Sequence, residues 1–169
     1  MDKKVIRAGI IGSGFAAKFH FDALQRVYNT KVEVVGAYST SPENLKSFTQ
    51  ARAIHAFATI EDLIDASDIL HICTPPVTHE PIAIAVLKKN KDVIIEKPFT
   101  GYFGDGTPEF NGDTFPRKLG LKEAVASIQR LLEAEKASKG SIMYAENWVY
   151  APAVQKEREV IEKTKGFNP

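Results

Sequence analysis

The residues with the clearest chemical purpose lie near the amino terminus, in Val5-Ile-Arg-Ala-Gly-Ile-Ile-Gly-Ser-Gly-Phe-Ala-Ala17. A short apolar run containing Ile6, Ile10 and Ile11 leads into Gly12-x-Gly14-x-x-Ala17, and a helical pattern follows. Strand, glycine turn and helix in that order give such a string meaning, because each small residue then has its own task. Gly12 lets the chain turn sharply off the strand, Gly14 lets a pyrophosphate approach bare backbone, and Ala17 lets the helix pack closely on the strand. The first-turn N–H groups, those of Phe15 and Ala16 among them, are free to bind negative charge with the help of the helix dipole. The stretch therefore predicts a dinucleotide site, against the plainer alternative of a structural turn.

Three further places carry residues suited to a binding crevice: Tyr38–Ser41, Thr74–His79 and Glu96-Lys97-Pro98. The periodicity of the chain puts each of them at the end of a strand. Residues 32–38 and 68–73 read as buried strands, and Thr74-Pro75-Pro76 ends the second because prolines cannot continue a central ladder. Residues 92–95 form another strand and 141–148 a fifth, while 54–57 is a short extended piece. Between them lie helices. One covers 15–28, with Phe15, Phe19, Ala23, Leu24 and Val27 at the spacing of a buried face. A second starts at Ser41 as N-cap with Pro42 at its first position, and a third opens with the cap-and-acid pattern Thr59-Ile-Glu-Asp62. Another carries Ile82, Ala83, Val86 and Leu87, with Asn90 placed for a left-handed C-terminal cap. Leu121, Val125, Ile128 and Leu132 mark a further helix, and the last runs from Pro152 to about Lys165. Residues 101–119 are a long, aperiodic loop containing Tyr102, Phe103, Phe110 and Phe115. It leaves the sheet directly after Glu96-Lys97-Pro98 and is expected to act as a lid or contact segment, its alternative being a tolerated surface insertion.

Alternating strands and helices predict an α/β, doubly wound parallel sheet with helices on both faces and right-handed crossovers. Ligands in such sheets bind at the carboxyl ends of the strands, where the strand order reverses. All four marked places lie there. His20, near the inner face of the first helix, is expected to pack or hydrogen-bond rather than to catalyse.

Composition narrows the partners. The chain has 169 residues, 44% of them hydrophobic and 25% charged, which suits one globular domain. A formal net charge of +1 gives no reason to expect nucleic acid or an anionic membrane. The lone cysteine, Cys73, excludes an internal disulfide and fits a reducing, cytoplasmic setting. No apolar run reaches the ~20 residues that a membrane-spanning helix needs, and no metal site is expected.

Taken together, Gly12-x-Gly14, Thr74-Pro75-Pro76-x-x-His79 and Glu96-Lys97-Pro98 closely resemble the motifs of the Gfo/Idh/MocA oxidoreductases. The resemblance runs from about Lys4 to Pro98 and resumes over 120–165. It implies a Rossmann domain that binds NAD or NADP, followed in the family by an α/β domain that carries most of the substrate site and the oligomer interface. The family's D-x-x-x-H string belongs to that second domain and does not occur in this sequence. Residues 1–169 are accordingly expected to be the cofactor-binding domain, with 101–119 as an insertion.

The implied activity is hydride transfer between nicotinamide and a sugar, polyol or similar hydroxyl or carbonyl compound. A homo-oligomer is implied for the full-length protein. Lys97 matches the family lysine beside the nicotinamide and is the implied catalytic residue, with Glu96 orienting it or meeting the cofactor. Thr74, Pro75 and Pro76 are the implied wall beside the ribose and nicotinamide. His79 is assigned either to the cofactor or to the cap of the next helix, and Asn147 to substrate or nicotinamide. Family members often carry an arginine where Val149 stands, which weakens any substrate contact carried over on that strand. At the end of the second strand Ser39, Thr40 and Ser41 replace the usual carboxylate, so a 2′-phosphate is not repelled and the balance tips slightly to NADP. The alternative on the same fold is a regulator that binds NAD(P) without turnover. This chain by itself is expected to bind cofactor with negligible catalysis.

Overall fold

The computed structural model describes residues 5–104 and 106–164. Six parallel strands form one sheet in the order β3-β2-β1-β4-β5-β6. The strands are β1 (Val5–Ile11), β2 (Lys31–Tyr38), β3 (His55–Ala56), β4 (Ile69–Ile72), β5 (Asp92–Glu96) and β6 (Ile142–Ala145). The helices between and after them are α1 (Phe15–Leu24), α2 (Pro42–Gln50), α3 (Ile60–Ala66), α4 (His79–Lys88), α5 (Arg117–Lys136) and α6 (Pro152–Thr164). The chain steps from β1 outward through β2 to β3, then returns to the other side of β1 with β4. The order reverses at β1 and β4, and the crevice above that pair is where a doubly wound sheet binds its ligand.

Side-chain alternation along the strands divides the core into two layers. On one face Ile11, Leu70, Ile72, Val93 and Ile95 pack against Leu63 and Ile64 of α3, Ala83, Val86 and Leu87 of α4, and Leu131 of α5. On the other, Ile10, Ala37 and Cys73 meet Ala17 of α1 and Leu45 and Phe48 of α2. The local signals act as expected. Ser41 Oγ accepts the Asn44 N–H to cap α2, and Thr59 Oγ1 accepts the Asp62 N–H to cap α3. Asn90 takes φ +57° at the end of α4. The short piece near residue 55 is a true strand, paired with Gly36 and Ala37.

Three expectations change. The first helix ends at Leu24 rather than at residue 28, and its inner face is not the one read from the sequence. Phe15 is 76% exposed and Phe19 60%, whereas Ala17 is fully buried. A residue two positions from Ala17 lies about 200° round the helix from it, so once Ala17 packs on the sheet both phenylalanines must face outward. Their rings instead meet edge to face at 4.6 Å. The strand expected over 141–148 stops at Ala145. There the Glu146 carboxylate accepts the Trp148 N–H at 3.0 Å and the chain winds into a 3₁₀ turn at Trp148–Tyr150. The long loop is shorter by three residues, because Pro116 ends it and α5 starts at Arg117. No helix is long and apolar enough among the described residues to cross a membrane.

Gly9 decides how closely α3 can approach β1. A Cβ there would stand 2.4 Å from Ser67 Oγ, 2.8 Å from Leu70 Cδ1 and 2.9 Å from Leu63 Cδ1. Replacing Gly9 by alanine is expected to destabilise the domain by about 1–3 kcal/mol through overpacking. Urea unfolding of the two proteins measures the difference.

Candidate functional site

The turn after β1 is built by its neighbours as much as by its own sequence. Gly12 has φ +111°, its N–H donates to Tyr38 O at 2.8 Å, and a Cβ on it would lie 2.6 Å from Cys73 O. Only glycine accepts both that conformation and that proximity. Gly14 differs in kind. It has ordinary extended backbone (φ −83°, ψ −160°), and a Cβ on it would meet nothing within 4 Å among the described residues. Gly14 is the N-cap of α1 and supplies no side chain to cap the helix, whose first turn also holds no acidic residue. The first N–H groups of α1, at Phe15 and Ala16, therefore face an open space at the positive end of the helix dipole. An uncapped helix start beside an open glycine fits the pyrophosphate of a dinucleotide.

At the end of β2, Ser39 Oγ accepts from Ser13 Oγ at 2.9 Å and from the Ser41 N–H at 3.4 Å, joining the glycine turn to the neighbouring strand end. Ser13 went unremarked in the sequence because an x position in a glycine string carries no signal of its own. Ser41 spends its hydroxyl on the α2 cap, and Thr40 is exposed. After β4, Pro76–Thr78 make a 3₁₀ turn. Thr78 Oγ1 donates to Pro75 O at 2.8 Å and lies 2.7 Å from Thr74 Oγ1.

His79 acts differently from either expectation. Its side chain is fully buried and starts α4 without capping it. The ring nitrogens lie 2.9 Å from Thr74 O and 3.1 Å from Pro98 O, both of which only accept. His79 thus ties the loop after β4 to the loop after β5, and its imidazole presents no surface to a ligand.

At the end of β5, Glu96 is half-buried, Lys97 is exposed, and the Lys97–Pro98 peptide is cis. The Lys97 side chain forms no ion pair among the described residues. Asn147 is exposed, two positions beyond Ala145, which pairs with Glu96 across β5 and β6. Glu96 Oε2 accepts the Lys97 N–H at 2.9 Å, and Glu96 Oε1 lies 3.0 Å from His20 Nε2 on α1. His20 Nδ1 in turn lies 2.8 Å from His71 Nδ1 on β4. His71 was not singled out from the sequence. Its signal was there: an imidazole between Leu70 and Ile72 in a buried strand. Burial, followed by the effect of His20, pushes the His71 pKa down to about 3. Burial and the charge of Glu96 likewise push the Cys73 thiol up.

The β-strand ends thus bring Gly12, Gly14, Ser39, Thr40, Thr74, Pro75, Pro76, Glu96 and Lys97 to one edge of the sheet, with Asn147 at its far end. Residues 6–107 match the oxidoreductase family, NAD-binding Rossmann fold, of the Gfo/Idh/MocA group. The chain belongs to this family. Its relatives include a glucose-6-phosphate 3-dehydrogenase of Bacillus subtilis, 37% identical over 92 residues, which cover 54% of this chain and 26% of that protein. Another is a UDP-N-acetylglucosamine 3-dehydrogenase of Acidithiobacillus ferrooxidans, 27% identical over 56% of this chain and 29% of its own length. Among solved structures, the WlbA dehydrogenase of Bordetella pertussis in complex with NADH and UDP-GlcNAcA aligns with a TM-score of 0.76 at 22% identity. That alignment covers 96% of this chain and 40% of the other. The Gfo/Idh/MocA domain described here is thus an NAD-binding Rossmann domain, and the chain spans under a third of the length of these curated relatives.

The low pKa of His71 makes stability depend on pH in a defined direction. The unfolded chain takes up a proton near pH 6.5, which the folded chain refuses down to about 3. Between those values the unfolded state holds more protons, so stability falls as the pH drops. From near pH 7.5 to about pH 5 the loss from this group is expected to be about 2 kcal/mol. Urea unfolding at the two pH values should show it, and His71→Leu should remove most of it.

Proposed function

We propose that this domain is the cofactor-binding part of an NAD(P)-dependent dehydrogenase acting on a sugar, polyol or similar hydroxyl compound. The observation that carries the reading is the open, uncapped start of α1 beside Gly14, at the same edge of the sheet as Glu96-Lys97-Pro98. Bound nicotinamide supplies the redox chemistry by taking or giving a hydride. The protein's part is to aim the reacting carbon and to move the hydroxyl proton. Gly12, Gly14 and the N–H groups of Phe15 and Ala16 hold the pyrophosphate in this reading, and Ser39 and Thr40 meet the adenosine ribose. Thr74, Pro75 and Pro76 wall the other ribose. Lys97, exposed and without an ion-pair partner among the described residues, polarises the reacting oxygen or relays its proton. Asn147 contacts the substrate side.

Retention of the whole Glu96-Lys97-Pro98 string favours catalysis over a sensor that needs only a pocket. The dehydrogenase names of the relatives support the same choice. The substrate-positioning and oligomer-forming parts belong to a second domain outside residues 1–169, so this chain binds cofactor and turns over negligibly. The reducing compartment that suits its one buried thiol is the cytoplasm.

Gly14→Ala is the direct test, because the substituted side chain meets no atom of the described residues and fills the space assigned to the pyrophosphate. NADH titration by fluorescence should show at least about a tenfold loss of affinity, with stability lowered by no more than about 1 kcal/mol, the cost of a poorer N-cap. Equal affinity for the two proteins would refute the site. NADPH is expected to bind at least as tightly as NADH, since no carboxylate stands at the end of β2. A preference for NADH above about tenfold would reverse that assignment. In a polypeptide that includes the second domain, Lys97→Met is expected to lower kcat by about 100-fold or more with little change in cofactor affinity.

A further inference from the structure

Beneath α1 the sheet carries a histidine where the core calls for a hydrocarbon. Ala37, Ile10, His71 and Ile94 form one row across β2, β1, β4 and β5. Glu96 lies two residues beyond Ile94 and so faces the same side. His71 is 5% exposed, and its Nε2 has no hydrogen-bond partner among the described residues. Its Nδ1 points at His20 Nδ1 at 2.8 Å, and the His20 Nε2 points at Glu96 Oε1 at 3.0 Å. The His20 and Glu96 side chains are 12% and 19% exposed, so the chain of contacts is largely shielded from water.

The proton positions follow from what each atom is able to do. A carboxylate only accepts, so His20 Nε2 must carry the hydrogen it shares with Glu96. Two facing Nδ1 atoms share one hydrogen, and a neutral His20 already protonated at Nε2 has a bare Nδ1. His71 must then donate from Nδ1, which leaves its buried Nε2 a bare lone pair, in agreement with the missing partner there. The opposite arrangement would put two hydrogens on His20 and leave an N–H of His71 buried without an acceptor. Orphaned buried N–H groups are the rarer and more costly case.

We infer that His71 and His20 form a directed hydrogen-bond relay, His71 Nδ1–H to His20 Nδ1 and His20 Nε2–H to Glu96 Oε1, which positions the Glu96 carboxylate at the active edge. Glu96 passes the constraint on, because its second oxygen accepts the Lys97 N–H at 2.9 Å. The groups that face the relay are Glu96 on β5, His20 on α1, His71 on β4 and Cys73 just after it. The neutral thiol of Cys73 adds no charge to it. His20 and His71 are positioning residues in this account, acting on Lys97 through Glu96. The consequence for cofactor binding rests on the function proposed above, whereas the relay itself does not.

The test uses the 169-residue chain. Imidazole ¹⁵N spectra near neutral pH should show His71 protonated at Nδ1 alone, the less common tautomer of free histidine, and His20 at Nε2 alone. A hydrogen on His71 Nε2, or two on His20, would overturn the relay. In His71→Leu, the His20 Nδ1 resonance should move to that of a ring nitrogen without a donor and the Lys97 amide resonance should move. His71→Asn, whose amide nitrogen takes the place of Nδ1, should restore both. If His71 only filled space, leucine would leave both signals in place. Should His71→Leu not fold, Glu96→Ala gives the second reading: His71 should keep its Nδ1–H and His20 Nε2 should lose the shift of a hydrogen-bonded N–H, whereas a hydrogen moved to His71 Nε2 would count against the relay. NADH affinity should fall about 3- to 10-fold in His71→Leu, the worth of one hydrogen bond, and return in His71→Asn. Unchanged affinity beside a confirmed tautomer pattern would overturn the positioning role. A wild-type chain that binds no NADH would instead overturn the cofactor reading, and the ¹⁵N and amide signals would still decide the relay.

Discussion

The backbone of Gly12 is held between two neighbouring strand ends, and the candidate site depends on that confinement. Its N–H is fixed by Tyr38 O at the end of β2, while the carbonyl of Cys73 after β4 lies where a side chain would have to stand. Cys73 N–H donates in turn to Ile11 O at 2.8 Å. Three consecutive strands of the sheet are thereby locked at one level, and α1 must leave from that level with its first N–H groups uncovered. A bulkier residue at position 12 would push the strands apart or tilt the helix, and the open space at Gly14 would no longer lie beside the ends of β4 and β5. The phosphate cradle is a property of the strand junction as much as of the glycines.

Two histidine ties then hold the more distant half of the edge, one on each face of the sheet. His79, at the start of α4, joins Thr74 O to Pro98 O. His20, on α1, joins His71 to Glu96. The loops they hold contain most of the polar surface assigned to the nicotinamide end. Buried imidazoles suit this work because a flat ring with two nitrogens at a fixed separation can bridge two elements with little rotational freedom. α1 has a double part: its amino end is open to the crevice, and one turn later its inner flank reaches Glu96. Movement of that helix would disturb both ends of the site together. The loop after Thr100 has a small apolar cluster of its own, with the rings of Tyr102, Phe110 and Phe115 in mutual contact at 4.8–5.4 Å. A hydrogen bond of 2.6 Å between Thr100 and Ser127 fastens its start to α5.

The fold was legible because periodicity, caps and prolines agree with one another. Ser41, Thr59 and Asn90 each do locally what their chemistry allows, and such contacts need no knowledge of the rest of the chain. The errors arose where a neighbour decided the outcome. Phe15 and Phe19 have the spacing of a buried face, but the small Ala17 is what lets α1 approach β1, and its packing turns both rings outward. β6 is at the edge of the sheet with a partner on one side only, so a short turn closed by the Glu146 carboxylate ends it early. His79 stood in a loop with a recognisable motif and read as either a cofactor contact or a helix cap. Its burial became visible only once Pro98 and Thr74, distant in sequence, stood on either side of it.

The sequence by itself determined the type of domain: a parallel doubly wound sheet with a glycine turn at the end of its first strand and a Glu-Lys-Pro string at the end of another. These follow from residue spacing and backbone restriction, which act over a few residues at a time. Only the tertiary structure decided which side chains share protons. His20, His71 and Glu96 are separated by 51 and 25 positions along the chain and meet because the order β1-β4-β5 sets their strands side by side with α1 across them. No local signal encodes that meeting, since hydrogen bonds of this kind are fixed by strand order and helix packing. The glycine turn could be read in the sequence, whereas the buried relay beneath it becomes visible only when the sheet is assembled.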